Sequence, residues 1–193
     1  MPEPKKRADA QANYDRILEA ALEALTRDPD ASLNSIAKTA GVGAGTLYRH
    51  FPTREDLIIA VYQHELDELV EAAYSPRLVE LEPTQALRTW FDRLAQYGMT
   101  KSGLGAALTA AAETLHRDAS ITRVPMVEAL AHLLHRAQEA GDIRSDVTAD
   151  DVLLAVGFLW RMDPASDWHA QAARLLDLVV AGLRAPVASP AAH

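Results

Sequence analysis

The chain has 193 residues, 49% hydrophobic and 24% charged, a composition that fits one or two ordinary globular domains and excludes a disordered chain. It has no cysteine, which rules out a disulfide framework, a thiolate metal site and a cysteine nucleophile. Net charge is −8, but residues 1–64 hold 8 Lys and Arg against 9 Asp and Glu while residues 65–193 hold 11 against 18, so Lys5, Lys6, Arg7, Lys38, Arg49 and Arg54 can still gather into a locally basic end on an acidic body.

Apolar residues recur at helical spacing along the whole chain. Tyr14, Ile17, Leu18, Ala21, Leu22 and Leu25 make one stripe, which "RDPDAS" breaks. Ser32 is placed to cap a short helix bearing Leu33, Ile36, Ala37 and Ala40. Gly41 ends it where a left-handed residue is cheapest. A second short helix covers about residues 44 to 50 and stops at "FPT", since Pro52 cannot continue the hydrogen-bond ladder. Thr53 and Asp56 are spaced as a capping box for a long helix with Leu57, Ile58, Val61, Tyr62, Leu66, Leu69, Val70 and Ala73 on its inner face.

After "YSP", helices are expected over about 83 to 100, 104 to 115, 120 to 140, 148 to 162 and 166 to 183. Pro83 suits a first turn, Gly141 closes the third of these, and Thr148 caps the fourth with Asp150 and Asp151 in its first turn. No segment alternates with period two for long enough to be a strand. The expected fold is all-α with about nine helices. Residues 1–53 form an arm and a three-helix DNA-binding unit, 54–74 a connecting helix, 75–185 a second helical domain and 186–193 a frayed tail. No run approaches the ~18 apolar residues of a membrane helix, and the N-terminus lacks the apolar core of a secretory signal. The protein is therefore expected to be cytoplasmic, on the nucleoid when bound to DNA.

Two short helices joined by a glycine turn, with a supporting helix before them, describe a helix-turn-helix. The stretch "GVGAGTLYRHF" (41–51) then makes chemical sense. Gly41 makes the turn, Gly43 starts the second helix, and Gly45 lets its backbone approach a phosphate or base edge. Thr46 and Tyr48 offer hydroxyls to phosphate, His50 can donate to it, and Arg54 can clamp it from the next helix. Arg49 can reach guanine O6 and N7 with two hydrogen bonds. Leu47 and Phe51, four apart, point inward.

The segment "SLNSIAKTAGVGAGTLYRHFPTREDLI" (32–58) strongly resembles the DNA-binding signature of the tetracycline-repressor (TetR) family of bacterial regulators, with its A-G-V, G-T-L-Y, H-F and E-x-L elements in register. The resemblance covers about residues 10 to 65. It places Thr46, Tyr48, Arg49, His50 and Arg54 on DNA-facing positions, with Asn34 and Lys38 as lesser candidates. Ala44 falls where a base contact is common and offers only a methyl. The family often has Ser at the position of Gly43 and Lys at that of Arg54. The resemblance implies a homodimer on palindromic double-stranded operator DNA, most often a repressor, released by a small-molecule effector. No cofactor is implied.

Helices 148–162 and 166–183 are apolar almost all round, so a second copy is expected to cover them in a four-helix bundle. The interface candidates are Val152, Val156, Leu159, Trp160, Leu175, Leu176, Val179, Val180 and Leu183. By resemblance the helices between enclose the effector, with Trp90, Leu94, Tyr97, Met99, Leu104, Leu108, Met126, Leu130, Leu134 and Phe158 as candidate lining, mainly apolar and aromatic. Two other classes of function stay open. An architectural DNA-binding protein differs only in lacking a usable cavity. Glu128, His132 and His135 share a helix face and could hold zinc in a metal-dependent enzyme. Against the metal, Glu139 continues that line while Val127, Leu130, Leu134 and Ala137 make the opposite apolar stripe, as on the wet face of an amphipathic helix.

Overall fold

The computed structural model describes residues 4–28, 30–103 and 120–185. Among them every regular element is helical, apart from one isolated antiparallel bridge between Ile143 and Arg184. The described residues divide into two compact units, one from residues 4–65 with 100–103 and the other from residues 66–99 with 120–185. The boundary falls inside the fourth helix.

The first unit is built from α1 (Pro4–Arg27), α2 (Leu33–Thr39), α3 (Ala44–His50) and the first half of α4 (Arg54–Tyr74). Its core takes Ile17, Leu18, Ala21 and Leu25 from α1, Ile36 and Ala37 from α2, Leu47 and Phe51 from α3 and its end, and Leu57, Ile58 and Val61 from α4. Each set has helical spacing, so each helix turns one stripe inward. Helices of seven residues are too short to persist alone. Burial of Ile36 and Leu47 holds them, and truncating either to Ala costs ~2–5 kcal/mol.

The second unit holds the rest of α4, then α5 (Pro76–Val79), α6 (Pro83–Gly103) as far as Met99, α7 (Ser120–Glu139), α8 (Ala149–Ala155), a 3-10 segment (Val156–Arg161) and α9 (Trp168–Leu183). Trp90, Phe91, Leu94, Leu130, Val156, Leu159 and Leu176 lie at its centre. Polar side chains close its loops. The Arg136 guanidinium donates to the carbonyls of Leu78 (3.3 Å) and Val79 (2.9 Å) at the end of the short α5. The Gln138 amide donates to the carbonyls of Arg144 and Val147, both at 3.0 Å, and so pins the loop that leads to α8.

Two glycines with positive φ end helices in the same way, Gly41 (φ +66°) after α2 and Gly141 (φ +77°) after α7. In each, the glycine N–H donates back to the third residue before it (Lys38, 3.2 Å; Gln138, 3.0 Å) and the next N–H to the fifth before itself (Ala37 and Ala137, both 3.0 Å). This pairing satisfies the last carbonyls of the helix and needs a residue that adopts the left-handed region without a Cβ penalty.

Two expectations need revision. The single helix expected over 148 to 162 ends at Ala155 and continues as a 3-10 segment. Val156, Leu159 and Met162 are all buried, and three residues per turn put this i, i+3, i+6 series on one line. The break expected at "YSP" contains one further turn, α5, which starts on Pro76 after Ser75 and buries Leu78. The helix expected over 104 to 115 and the tail 186–193 lie outside the described residues.

Candidate nucleic-acid interface

The geometry of α2 and α3 follows from their ends. The Ser32 side chain accepts from the Ser35 N–H at 3.1 Å, which caps α2. Its last turn passes through the Gly41 motif, and Gly43 follows in an extended conformation as the N-cap of α3. The Gly43 carbonyl receives the N–H groups of Thr46 (2.8 Å) and Leu47 (3.2 Å), but no side chain caps this end. Phe51 closes α3 with its N–H on the Leu47 carbonyl at 2.8 Å. Thr53 and Asp56 then form a reciprocal cap on α4, with Thr53 N–H to the Asp56 carboxylate and Asp56 N–H to the Thr53 hydroxyl, both 3.1 Å.

With Leu47 and Phe51 turned inward, the outer surface of α3 is decided. Ala44, Gly45, Tyr48, Arg49 and His50 are exposed and Thr46 is half-buried. Tyr48 is 45% exposed, so its ring stands outside the core. Asn34 and Lys38 are exposed on α2. Among the described residues neither Lys38 nor Arg49 enters an ion pair. A Cβ built on Gly45 meets nothing within 4 Å, and one on Gly43 meets only the Thr46 hydroxyl at 4.0 Å. Packing inside the chain therefore does not require glycine at either place.

Arg54, expected on a phosphate, donates from its guanidinium to the Ala31 carbonyl, and its side chain is half-buried. That bond ties the start of α4 to the α1–α2 connection. Tyr14 is a residue that the sequence hid. Read there as one member of the α1 stripe, it lies with its ring 5.8 Å from His50 and 5.3 Å from Phe51. Nothing in the spacing of α1 announces a contact 36 residues away in the chain.

The second-unit candidates are distributed differently from their expectation. Trp90, Leu94, Tyr97, Met99, Met126, Leu130 and Leu134 are buried, Phe158 is half-buried, and Leu104 and Leu108 lie outside the described residues. The Trp90 indole N–H donates to the Leu69 carbonyl at 2.9 Å. Tyr97 meets Trp160 edge-on, with ring centroids 6.0 Å apart. Of the interface candidates, Val152, Val156, Leu159, Leu176, Val180 and Leu183 are buried by this chain alone. Trp160 also packs inward, over Gly98, where an added Cβ would come within 2.9 Å of its ring. Leu175 and Val179 are half-buried. The large apolar side chains left open on these helices are Leu154 (81% exposed) and Leu178 (69%). A helix apolar on all sides gives one side to its own core, and only the opposite side remains for a partner.

Glu128, His132 and His135 do not act together. The His132 ring lies 4.7 Å from that of Tyr74, tilted by 30°, and His135 faces Glu139 at 3.3 Å. Among the described residues no group of three or more His, Asp or Glu could hold a metal ion.

The model of bacterial regulatory proteins of the tetR family matches residues 17–61, and that of the SbtR-like transcriptional-regulator C-terminal domain matches residues 82–185. The chain belongs to the TetR family of bacterial transcriptional regulators. It is 31% identical over 140 residues to an HTH-type transcriptional regulator of Staphylococcus aureus, covering 67% of this chain and 69% of that one. A solved TetR regulator from Streptomyces coelicolor superimposes with a TM-score of 0.82 at 41% identity, covering 90% of this chain and 99% of the other. A structure described as the molecular basis for control of antibiotic production by bacterial hormones gives 0.67 at 26% identity, covering 95% and 100%. As a TetR-family member the chain is a DNA-binding transcriptional regulator with a helix-turn-helix, and not an enzyme. Among the described residues no helix is long and apolar enough to cross a membrane.

Proposed function

We propose that this TetR-family regulator acts in the cytoplasm as a homodimeric repressor on a palindromic operator and is released by a small, mainly hydrophobic or aromatic effector. The observation that carries the DNA reading is the outer side of α3. Ala44, Gly45, Tyr48, Arg49 and His50 stand exposed beside Lys38 and Asn34, while Leu47 and Phe51 anchor the helix beneath them. Arg49 is the long cation on that helix and is the base reader; Thr46, Tyr48, His50 and Lys38 position the helix on phosphates. Effector release is supported by the likeness to the structure described as the molecular basis for control of antibiotic production by bacterial hormones.

Dimerisation uses the outer stripe of α9 (Leu175, Leu178, Val179) together with Leu154 of α8, in place of the buried residues first expected. An effector that prefers the DNA-incompetent form by ~10²-fold shifts operator affinity by ~2.7 kcal/mol per bound equivalent.

The test is a titration of wild type and Arg49→Ala on a duplex selected from genomic fragments and on a scrambled duplex. Arg49→Ala should lose ~1–3 kcal/mol on the selected duplex and relax preference at one base pair per half-site. Equal binding of both duplexes by wild type and variant would sink the assignment of Arg49.

A further inference from the structure

We infer that Tyr14 of α1 is a positioning residue for DNA binding, which acts by bracing the His50 imidazole at the end of α3. The inference rests on the reading of α3 as the DNA-facing helix. His50 is the last residue of α3 and is exposed, so the helix itself does little to fix its side chain. Its ring meets Tyr14 at 5.8 Å with an interplanar angle of 66°, the edge-to-face geometry favoured by aromatic quadrupoles. Tyr14 is in turn fixed. It is half-buried, its ring lies 5.3 Å from Phe51, and Phe51 is only 3% exposed in the core. Phe51 itself approaches His50 at 6.1 Å. The imidazole thus lies against two rings, the half-buried Tyr14 of α1 and the core Phe51 at the end of α3.

What lies on the other side shows what the brace prevents. A cleft of about 290 Å³ opens beside these rings, lined by Tyr14, His50, Phe51, Asp56, Ile59 and Gln63 among others. Asp56 in that wall already serves Thr53, accepting its hydroxyl at 2.7 Å and its N–H at 3.1 Å. With the Tyr14 ring gone, the cleft enlarges and the imidazole is free to turn back into it, away from a phosphate on the outer surface. A donor that is already oriented loses less freedom on binding than one that must be ordered by the ligand.

The experiment is a double-mutant cycle on the full chain, measured with the selected and scrambled duplexes. His50→Ala should weaken both about three- to tenfold, as expected when one hydrogen bond to phosphate is removed. Tyr14→Leu should weaken both by a similar factor, Tyr14→Phe should bind as the wild type does, and the Tyr14→Leu, His50→Ala double variant should be no weaker than His50→Ala alone. Thermal unfolding checks that each variant folds; Tyr14→Met, which fills the space without a ring, replaces the leucine variant if that one does not fold. A second readout is the imidazole proton shift of His50, which should move in the leucine or methionine variant as the Tyr14 ring current disappears. Penalties that multiply in the double variant, or a His50 signal that stays unchanged, overturn the inference while leaving the DNA reading of α3 intact. Wild-type affinity in His50→Ala would instead refute the role given to His50 itself, and with it the brace.

Discussion

The α2–α3 pair and the α8–α9 pair make an instructive contrast. Each opens with a side-chain cap, Ser32 on α2 and the reciprocal Thr148–Asp151 cap on α8. They differ in what remains outside once the core is served. On α3 the outer side carries Gly45, Tyr48, Arg49 and His50, groups with hydrogen-bonding chemistry and, at Gly45, room for a close approach. On α8 and α9 the outer side carries, among exposed Asp150, Asp151, Arg174 and Asp177, two large apolar side chains, Leu154 and Leu178. In the function proposed above the first surface faces the operator and the second a copy of the chain.

The sharpest way to break that contrast is to put the same charge on the two sides of α9. Leu176→Arg places a cation at a fully buried position, at a cost on the order of 3–5 kcal/mol, and should unfold the second unit. Leu178→Arg lies two residues on and is 69% exposed. It should leave the chain folded by circular dichroism, sediment as a monomer, and reduce operator affinity by more than tenfold because one half-site is no longer held to the other. If Leu178→Arg sediments as wild type does, the outer stripe of α9 is not the dimer surface.

This pair of substitutions also shows where the sequence was legible. Leu47 and Phe51 among polar neighbours leave one way for α3 to face, so its outer residues could be named from spacing alone. The caps at Ser32, Thr53 and Thr148 and the turns at Gly41 and Gly141 were readable for a similar reason, because each rests on hydrogen bonds within six residues of chain. In α9 the exposed Gln171, Arg174 and Asp177 mark an outer side opposite the buried Ala172, Leu176, Val180 and Leu183. Leu178 lies among those polar residues, so reading the helix as apolar almost all round passed over the one large apolar side chain that stays outside. The contacts of Arg54 with Ala31 and of Tyr14 with His50 were hidden because they are set by tertiary packing.

Arg54 sharpens the comparison from within the first unit. Removing its side chain leaves the Ala31 carbonyl short of a donor, so Arg54→Ala should lower stability by ~1–3 kcal/mol. Since the guanidinium is held on that carbonyl, the slope of log affinity against log salt should stay the same. Lys38→Ala should do the reverse, leaving stability nearly unchanged and lowering the slope by ~0.9 for each phosphate that the lysine neutralises, counted per subunit. A slope that falls in Arg54→Ala would return this residue to the phosphate backbone.

The two helix caps separate in acid. Ser32→Ala should cost ~1 kcal/mol at any pH, because the Ser32 hydroxyl does not titrate. The Thr148 hydroxyl and backbone N–H hold the Asp151 carboxyl below its ordinary range. A carboxylate depressed in the folded state stabilises above its unfolded pKa, and that contribution is lost as pH falls through the folded value. The destabilisation of Thr148→Ala should therefore shrink with acid below the usual aspartate range, while that of Ser32→Ala persists. Parallel unfolding titrations at neutral and acid pH would show this, and an equal response of the two variants would mean that the Asp151 charge adds nothing to the cap.

The smallest expected effect lies at Gly45 and bears most directly on why the outer side of α3 is built as it is. Gly45 sits in the first turn of a seven-residue helix, with a φ outside the left-handed region and nothing within 4 Å of an added Cβ. Alanine should fit without strain and reduce the freedom of the unfolded chain. The fold should gain about 0.5 kcal/mol, read as a small rise in unfolding midpoint. If the open space in front of Gly45 is where the DNA backbone or a base edge comes close, the same methyl intrudes on the complex, and operator affinity should fall even as stability rises. Opposite signs in the two measurements are what a glycine kept for a ligand would give. A variant that is more stable and binds at least as tightly would place the close approach elsewhere on α3, toward Tyr48 and Arg49.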